Sequence, residues 1–182
     1  MKIIAFAGSN SSNSINKKLA TYAASLFKDV EIEILDLNDF EAPLYSIDIE
    51  NERGHAEEAK QFLSKLKSAD IFVLSLAENN GNYSVAFKNT LDWCSRIESK
   101  FFYQKPMLLM ATSPGGRGGK SVLEIAQNNL PRFDADIKAV FSLPSFVQNF
   151  DSKNNIISDF ELNNQLIDIV KDFQHDLNEK NT

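Results

Sequence analysis

Seven serine and asparagine residues crowd the stretch Gly8-Ser9-Asn10-Ser11-Ser12-Asn13-Ser14-Ile15-Asn16. It follows the apolar run Lys2–Ala7 and leads directly into the helical spacing of Ile15, Leu19, Ala23 and Leu26. Strand, polar loop and helix start, in that order, present main-chain N–H groups and hydroxyls where the helix dipole adds partial positive charge. The chemistry on offer is the holding of an anion, a phosphate above all. A helix N-cap draws on the same residue types, but a single capping side chain serves that purpose. The loop has no Gly-Lys-Ser/Thr ending, and its one glycine, Gly8, does not make a Gly-x-Gly-x-x-Gly dinucleotide loop.

Two further segments carry polar or flexible chemistry. Ala77-Glu78-Asn79-Asn80-Gly81-Asn82-Tyr83-Ser84 reads either as a turn or as backbone and amide groups presented to a planar polar ligand, with Tyr83 supplying an aromatic face or covering the turn. Thr112-Ser113-Pro114-Gly115-Gly116-Arg117-Gly118-Gly119-Lys120 packs four glycines into five positions. That density lets a backbone approach a ligand closely, or makes a flexible connection.

These segments need elements to position them. Strands are expected at Lys2–Ala7, Glu31–Leu37, Ile71–Leu76, Met107–Thr112 and Ile137–Leu143, and helices at Ser14–Phe27, His55–Lys67, Ala86–Ile97, Ser121–Leu130 and Phe160–Asn178. The first, third and fourth strands are nearly continuous apolar runs, as in sheets covered on both faces, while Glu31-Ile32-Glu33-Ile34-Leu35 alternates like an edge strand. Alternating βα units predict an α/β fold, a doubly wound parallel sheet of five strands with helices on both faces. In the flavodoxin-like order 2-1-3-4-5 the three segments leave neighbouring strand ends and build one site. Glu41–Gly54 is expected to be a long connection and Asp151–Ser158 a loop.

The whole chain, residues 1–182, is expected to form one domain. A hydrophobic fraction of 43% and a charged fraction of 24% are those of an ordinary globular protein. The formal net charge of −6 argues against nucleic acid or an anionic membrane as partner. No apolar run reaches transmembrane length, no leader pattern opens the sequence, and a lone Cys94 excludes an internal disulfide, so a cytoplasmic location is expected.

Taken together, the three segments resemble the NAD(P)H-dependent FMN reductase family, the flavodoxin-like group that includes quinone, azo-dye and chromate reductases. The family pattern Gly-Ser-x-Arg-x-x-Ser-x-Asn, with Leu-Ala following, stands here as Gly8-Ser9-Asn10-Ser11-Ser12-Asn13-Ser14-Ile15-Asn16 with Leu19-Ala20. Pro-Glu-Tyr-Asn followed by Leu-Lys-Asn-x-x-Asp-Trp stands as Ala77-Glu78-Asn79-Asn80 and Phe87-Lys88-Asn89-Thr90-Leu91-Asp92-Trp93. Ser-Pro-Gly-x-x-Gly-Gly is matched by Ser113-Pro114-Gly115-Gly116-Arg117-Gly118-Gly119.

The resemblance implies FMN as cofactor, NADPH or NADH as co-substrate, a small-molecule acceptor such as a quinone, azo compound or free flavin, and a homodimer or homotetramer. Ser9, Ser11, Ser14, Ile15 and Asn16 would hold the FMN phosphate through hydroxyl, amide and main-chain donors. Glu78, Asn79, Asn80 and Gly81 would line the isoalloxazine edge, and Ser113, Pro114 and Gly115 its pyrimidine side. Lys88–Trp93 would be structural and help form a subunit interface. Three departures stand out: Ser11 where the family often has arginine, with Lys17 and Lys18 the nearby cations, Ala77 for proline, and Asn79 for tyrosine.

With flavin-borne chemistry no side-chain acid, base or nucleophile is required, and none is assigned. His55 and His175 lie in separate helical segments, so no metal site is expected. Cys94 reads as a small apolar core group, Glu78 as a base or a cap, Arg117 as a cofactor-phosphate contact or a surface arginine, Asp48–Glu52 as a solvated loop, and Phe101-Phe102-Tyr103 as packing or contact. An FMN electron carrier without pyridine-nucleotide activity is the alternative, and a flavin-free binding protein on the same fold a third.

Overall fold

The computed structural model describes residues 1–180. Five parallel strands, β1 (Lys2–Gly8), β2 (Glu31–Leu35), β3 (Ile71–Leu76), β4 (Pro106–Thr112) and β5 (Asp136–Leu143), pair in the order β2-β1-β3-β4-β5. This is the flavodoxin-like sheet expected from the alternation of units. Six of the seven residues of β1 and of β4 are buried, as are all six of β3, which is why those strands read as unbroken apolar runs. β2 and β5 form the edges and keep polar or half-exposed positions.

The period-2 pleat divides each inner strand between two cores. Ile3 and Ala5 of β1 face α1 (Ile15–Ser25) and the closing helix Phe160–Lys180, whereas Ile4 and Phe6 face the side covered by helices Glu57–Lys67, Val85–Ile97 and Lys120–Asn129. With the short helices Ile47–Arg53 (α2) and Phe146–Asn149 (α6) counted, those three are α3, α4 and α5 in chain order, and the closing helix is α7. Phe101 and Phe102 are buried, Phe101 stacked on Phe133 at 4.9 Å and Phe102 edge-on to Phe72 at 5.4 Å, so the aromatic cluster after α4 is packing.

The structure departs from expectation where local chemistry overrides apolar periodicity. The second strand stops at Leu35, because the Asp36 side chain accepts the Asn38 N–H at 3.0 Å and starts a 3₁₀ turn over Leu37–Phe40. Glu41–Gly54 is not wholly connection: it contains α2, capped by Ser46 and stopped at Gly54 with φ 75°. α2 buries no residue, so it carries no apolar stripe for a pattern to detect. Its Glu50, expected in a solvated loop, instead accepts from Arg96 and from the Tyr45 hydroxyl, each at 2.9 Å. The segment Asp151–Ser158 falls largely within a hairpin, Phe150–Asp151 against Ile156–Ile157, with Asn155 at φ 55°. Among the described residues no helix is long and apolar enough to cross a membrane.

Candidate functional site

Because the five strands are parallel, the segments after β1, β3 and β4 emerge at the same edge of the sheet. After β1, Ser14 caps α1: its hydroxyl accepts the Lys17 N–H at 3.1 Å, and its own N–H donates to Ser11 O at 3.1 Å. Ser9 Oγ accepts the Ser11 N–H at 3.2 Å. The Ile15 and Asn16 N–H groups, the first of α1, have no acceptor among the described residues. Asn16 differs from expectation. Its amide, read as a phosphate donor, turns into the sheet: Nδ2 donates to Thr112 O at 3.1 Å, and Oδ1 accepts the Thr112 N–H at 2.9 Å and the Ser75 hydroxyl at 2.7 Å. What Asn16 leaves to the loop is its main-chain N–H. Lys17 is spoken for by Asp36 at 2.5 Å. Burial acts to push the Asp36 carboxyl up, and the Lys17 ammonium and Asn38 N–H more than reverse that, leaving it below its ordinary value.

After β3 the chain folds into a tight hairpin, Glu78–Asn79 against Asn82–Tyr83, with Asn80 at φ 52° and Gly81 at φ 75°. Two consecutive positive φ values make the turn that Asn-Gly favours. Asn79 and Asn80 are exposed at its tip. Glu78 acts as a cap, accepting the Val122 N–H at 3.0 Å and so serving α5, whose own N-cap Gly119 has no side chain to offer. Tyr83 is buried edge-on against Phe87 at 5.2 Å and covers the turn; its hydroxyl has no partner, and burial raises its pKa. Ser84 ties the hairpin to β1, donating to Gly8 O at 2.8 Å while accepting the Phe87 N–H at 3.1 Å.

The glycines after β4 divide into two pairs. A Cβ on Gly118 would collide with Ser142 Oγ and lie 2.9 Å from Pro144 N, and one on Gly119 would lie 2.7 Å from Ala111 Cβ; both residues have positive φ. These two are demanded by packing. Gly115 and Gly116 are exposed, with nothing closer than 3.9 Å to a Cβ at either. Gly115 O accepts from Ser145 N at 3.0 Å and Phe146 N donates to Ser113 O at 3.0 Å, so the open stretch is pinned from behind. Arg117 is exposed and donates to Ser121 Oγ at 2.9 Å.

A cleft of about 320 Å³ adjoins this edge, lined by Asn10 of the first loop, Asn79 of the hairpin, Ser84 and Val85 at the start of α4, and Phe40 and Leu44 after β2. The segment Ala42–Tyr45 that bounds it is clasped by α4. Asn89 accepts the Tyr45 N–H at 2.8 Å and donates to Ala42 O and Pro43 O, and Trp93 Nε1 donates to Pro43 O at 2.7 Å. The Lys88–Trp93 stretch is thus a clasp. Its partners lie more than 40 residues away (|i−j| of 44 to 50), and no local spacing signalled them. Cys94 beside it is buried, its thiol pushed up to about 12. No group of three His, Cys, Asp or Glu among the described residues is placed to hold a metal. His55 instead sits 3.4 Å from Glu50.

A phosphate suits the donor set at the start of α1, where N–H groups and hydroxyls gather on a helix dipole. A planar ring suits the open glycine backbone and exposed asparagine amides beyond β3 and β4. The five-stranded order and the loops gathered at this edge define a protein of the flavodoxin-like class. The family model described as NADPH-dependent FMN reductase matches residues 1–147, and the chain belongs to that family. It is 35% identical over 123 residues to the NADPH azoreductase of Bacillus sp. (strain OY1-2), covering 68% of this chain and 65% of that protein. It is 35% identical over 121 residues to the FMN-dependent NADPH-azoreductase of Staphylococcus aureus (strain USA300), covering 63% and 62%. The chain therefore spans just under two thirds of the length of these azoreductases. Among solved structures, FerB, a flavoenzyme NAD(P)H:(acceptor) oxidoreductase from Paracoccus denitrificans, shares the fold with a TM-score of 0.73 over 94% of each chain at 21% identity. The relatives' names describe FMN-dependent and NADPH-using reductases, and the matched family is described as NADPH-dependent FMN reductase.

Proposed function

We propose that this chain is an FMN-dependent NAD(P)H:acceptor oxidoreductase that reduces a small molecule such as a quinone, an azo compound or free flavin. The observation that carries the reading is the convergence at one sheet edge of an anion-type helix start, an amide-bearing hairpin and an open glycine stretch. When bound, FMN would supply the redox chemistry between the nicotinamide and the acceptor.

The chain's own residues bind and orient. Ser9, Ser11, Ser14, Ile15 and Asn16 hold the phosphate, Asn16 through its main chain. Asn79, Asn80 and Gly81 line the edge of the ring, with Glu78 holding their hairpin against α5. Ser113, Pro114 and Gly115 pass its pyrimidine side. The lack of a Cβ at Gly115 and Gly116 leaves room for close approach. A homodimer or homotetramer fits the exposed Leu44, Ile47 and Val85 beside the clasp. The lone buried thiol suits the cytoplasm.

The test is an absorbance spectrum of the purified chain after loading with FMN and desalting, followed by NADPH and then NADH. Retained flavin bands that bleach on adding the nucleotide support the oxidoreductase and identify its donor. Retained bands that persist point to an electron carrier. Failure to retain FMN, together with no NAD(P)H oxidation in excess FMN, overturns the reading.

A further inference from the structure

The cleft of about 320 Å³ beside the loops lies at the lower end of the roughly 300–1,000 Å³ usual for small-molecule sites, so it suits a compact ring system rather than an elongated dye. Phe40, Leu44 and Val85 give it an apolar wall. Most of its polar groups are consumed within the fold. Ser84 Oγ donates to Gly8 O at 2.8 Å, Thr90 Oγ1 donates to Ala86 O at 2.9 Å, and Asn89 holds the Ala42–Tyr45 segment. Asn38 turns to Asp36, its Nδ2 donating to Oδ1 at 2.8 Å. Three polar side chains of the lining remain without a partner among the described residues: the amides of Asn10 and Asn79 and the carboxylate of Glu41. No cation lines the cleft. Lys17 on α1 and Lys88 on α4 are paired elsewhere, with Asp36 at 2.5 Å and with Asp92 at 2.7 Å. Of the residues assigned to FMN the cleft shares Asn79 alone, so a molecule filling it lies beside the edge of the ring and apart from the phosphate residues.

We propose that this cleft receives the electron acceptor and that Glu41 selects it by charge, favouring an uncharged quinone over an anionic one, which rests on the oxidoreductase reading above. The free amides of Asn10 and Asn79 are donors for the carbonyl oxygens of a quinone. A sulfonated compound in the same place meets a carboxylate and no cation, and like charges at close range repel. The reaction balances with NAD(P)H giving up a hydride, the quinone gaining its two electrons and proton, and one further proton coming from solvent to leave the hydroquinone. Glu41 acts on which acceptor enters and takes no part in the transfer.

The experiment follows NAD(P)H oxidation by the full chain loaded with FMN, with para-naphthoquinone and its ring sulfonate as the two acceptors. The readout is the ratio of kcat/KM for the sulfonate to that for the neutral quinone, since the intrinsic reactivity of each compound cancels between parent and variant. Glu41→Gln is expected to raise this ratio about threefold and Glu41→Lys about tenfold, both effects shrinking at high salt. Asp39→Asn removes a charge of the same sign from the same turn, at a residue that does not line the cleft, and is expected to leave the ratio within about 1.5-fold of the parent. A ratio unmoved in Glu41→Lys overturns the proposal, even if both rates change together. An equal rise in Asp39→Asn also overturns it, by assigning the effect to the general field. Glu41 is exposed, and retention of the flavin bands after desalting would confirm that its variants are folded. A parent chain that oxidises no NAD(P)H with either quinone sinks the oxidoreductase reading itself and this proposal with it, a result distinct from a ratio that fails to move.

Discussion

Asn16 pairs with the backbone of Thr112 at two points, Nδ2 to the carbonyl at 3.1 Å and Oδ1 from the N–H at 2.9 Å, across 96 residues of chain. With Ser75 donating to the same Oδ1, one side chain joins the first turn of α1 to the ends of β3 and β4. The loop after β1 is therefore fixed relative to the loop after β4 by a bond network that a ligand does not have to make. Asn16→Ala would leave the Thr112 main-chain groups and the Ser75 hydroxyl short of a partner. Each buried orphan costs about 1–3 kcal/mol, so a loss of roughly 2–4 kcal/mol is expected in urea unfolding. A change below about 0.5 kcal/mol, the range of an ordinary surface substitution, would refute the role.

The glycines after β4 should separate in the same assay. Gly118→Ala and Gly119→Ala combine positive φ with Cβ collisions, and each should cost about 2 kcal/mol or more. Gly115→Ala and Gly116→Ala meet open space, and their stabilities should stay within about 0.5 kcal/mol of the parent. Similar costs across all four would mean that the division into packed and open pairs is wrong.

Asn89 carries three bonds to the Ala42–Tyr45 segment. Asn89→Ala should release that segment while leaving the sheet intact. Amide exchange at Tyr45, whose N–H is held by Asn89 at 2.8 Å, should quicken, with no change at buried β3 amides. Uniform protection in both places would show that something else holds the segment.

Glu33 accepts from Lys2 at 2.8 Å and Lys65 at 2.6 Å, and these bonds, Lys2 first, hold its carboxyl below the ordinary value. A carboxyl depressed in the folded state contributes stability that is present above its unfolded pKa and is lost as pH falls through the folded one. Asp36 acts in the same direction through Lys17. Urea midpoints should therefore fall between neutral pH and the acid range below ordinary carboxylate values. Glu33→Gln should flatten that fall, and an identical pH profile would remove Glu33 from the account.

Much of this architecture was legible before any coordinates. Continuous apolar runs at β1, β3 and β4, alternation at β2 and 3.6-residue spacing in the long helices are local signals, because burial on one or both faces writes itself into neighbouring residues. Parallel strands joined by helices then leave few topologies, and the three polar or glycine-rich segments had to meet at one edge. Side-chain direction was not legible. Asn16 reads as a loop donor and turns inward, Glu78 reads as a base, a cap or a ring contact until the Val122 N–H selects the cap, and Lys17 and Lys18 are indistinguishable as residue types until Asp36 engages one of them. Nor does α2 announce itself, since it buries nothing. The sequence by itself determined the five sheet strands, the long helices and which loops share an edge, since those follow from periodicity and chain connectivity. Only the tertiary structure decided which polar atoms are consumed within the fold and which are left for a ligand, because each of those partners comes from a distant part of the chain and is chosen by packing.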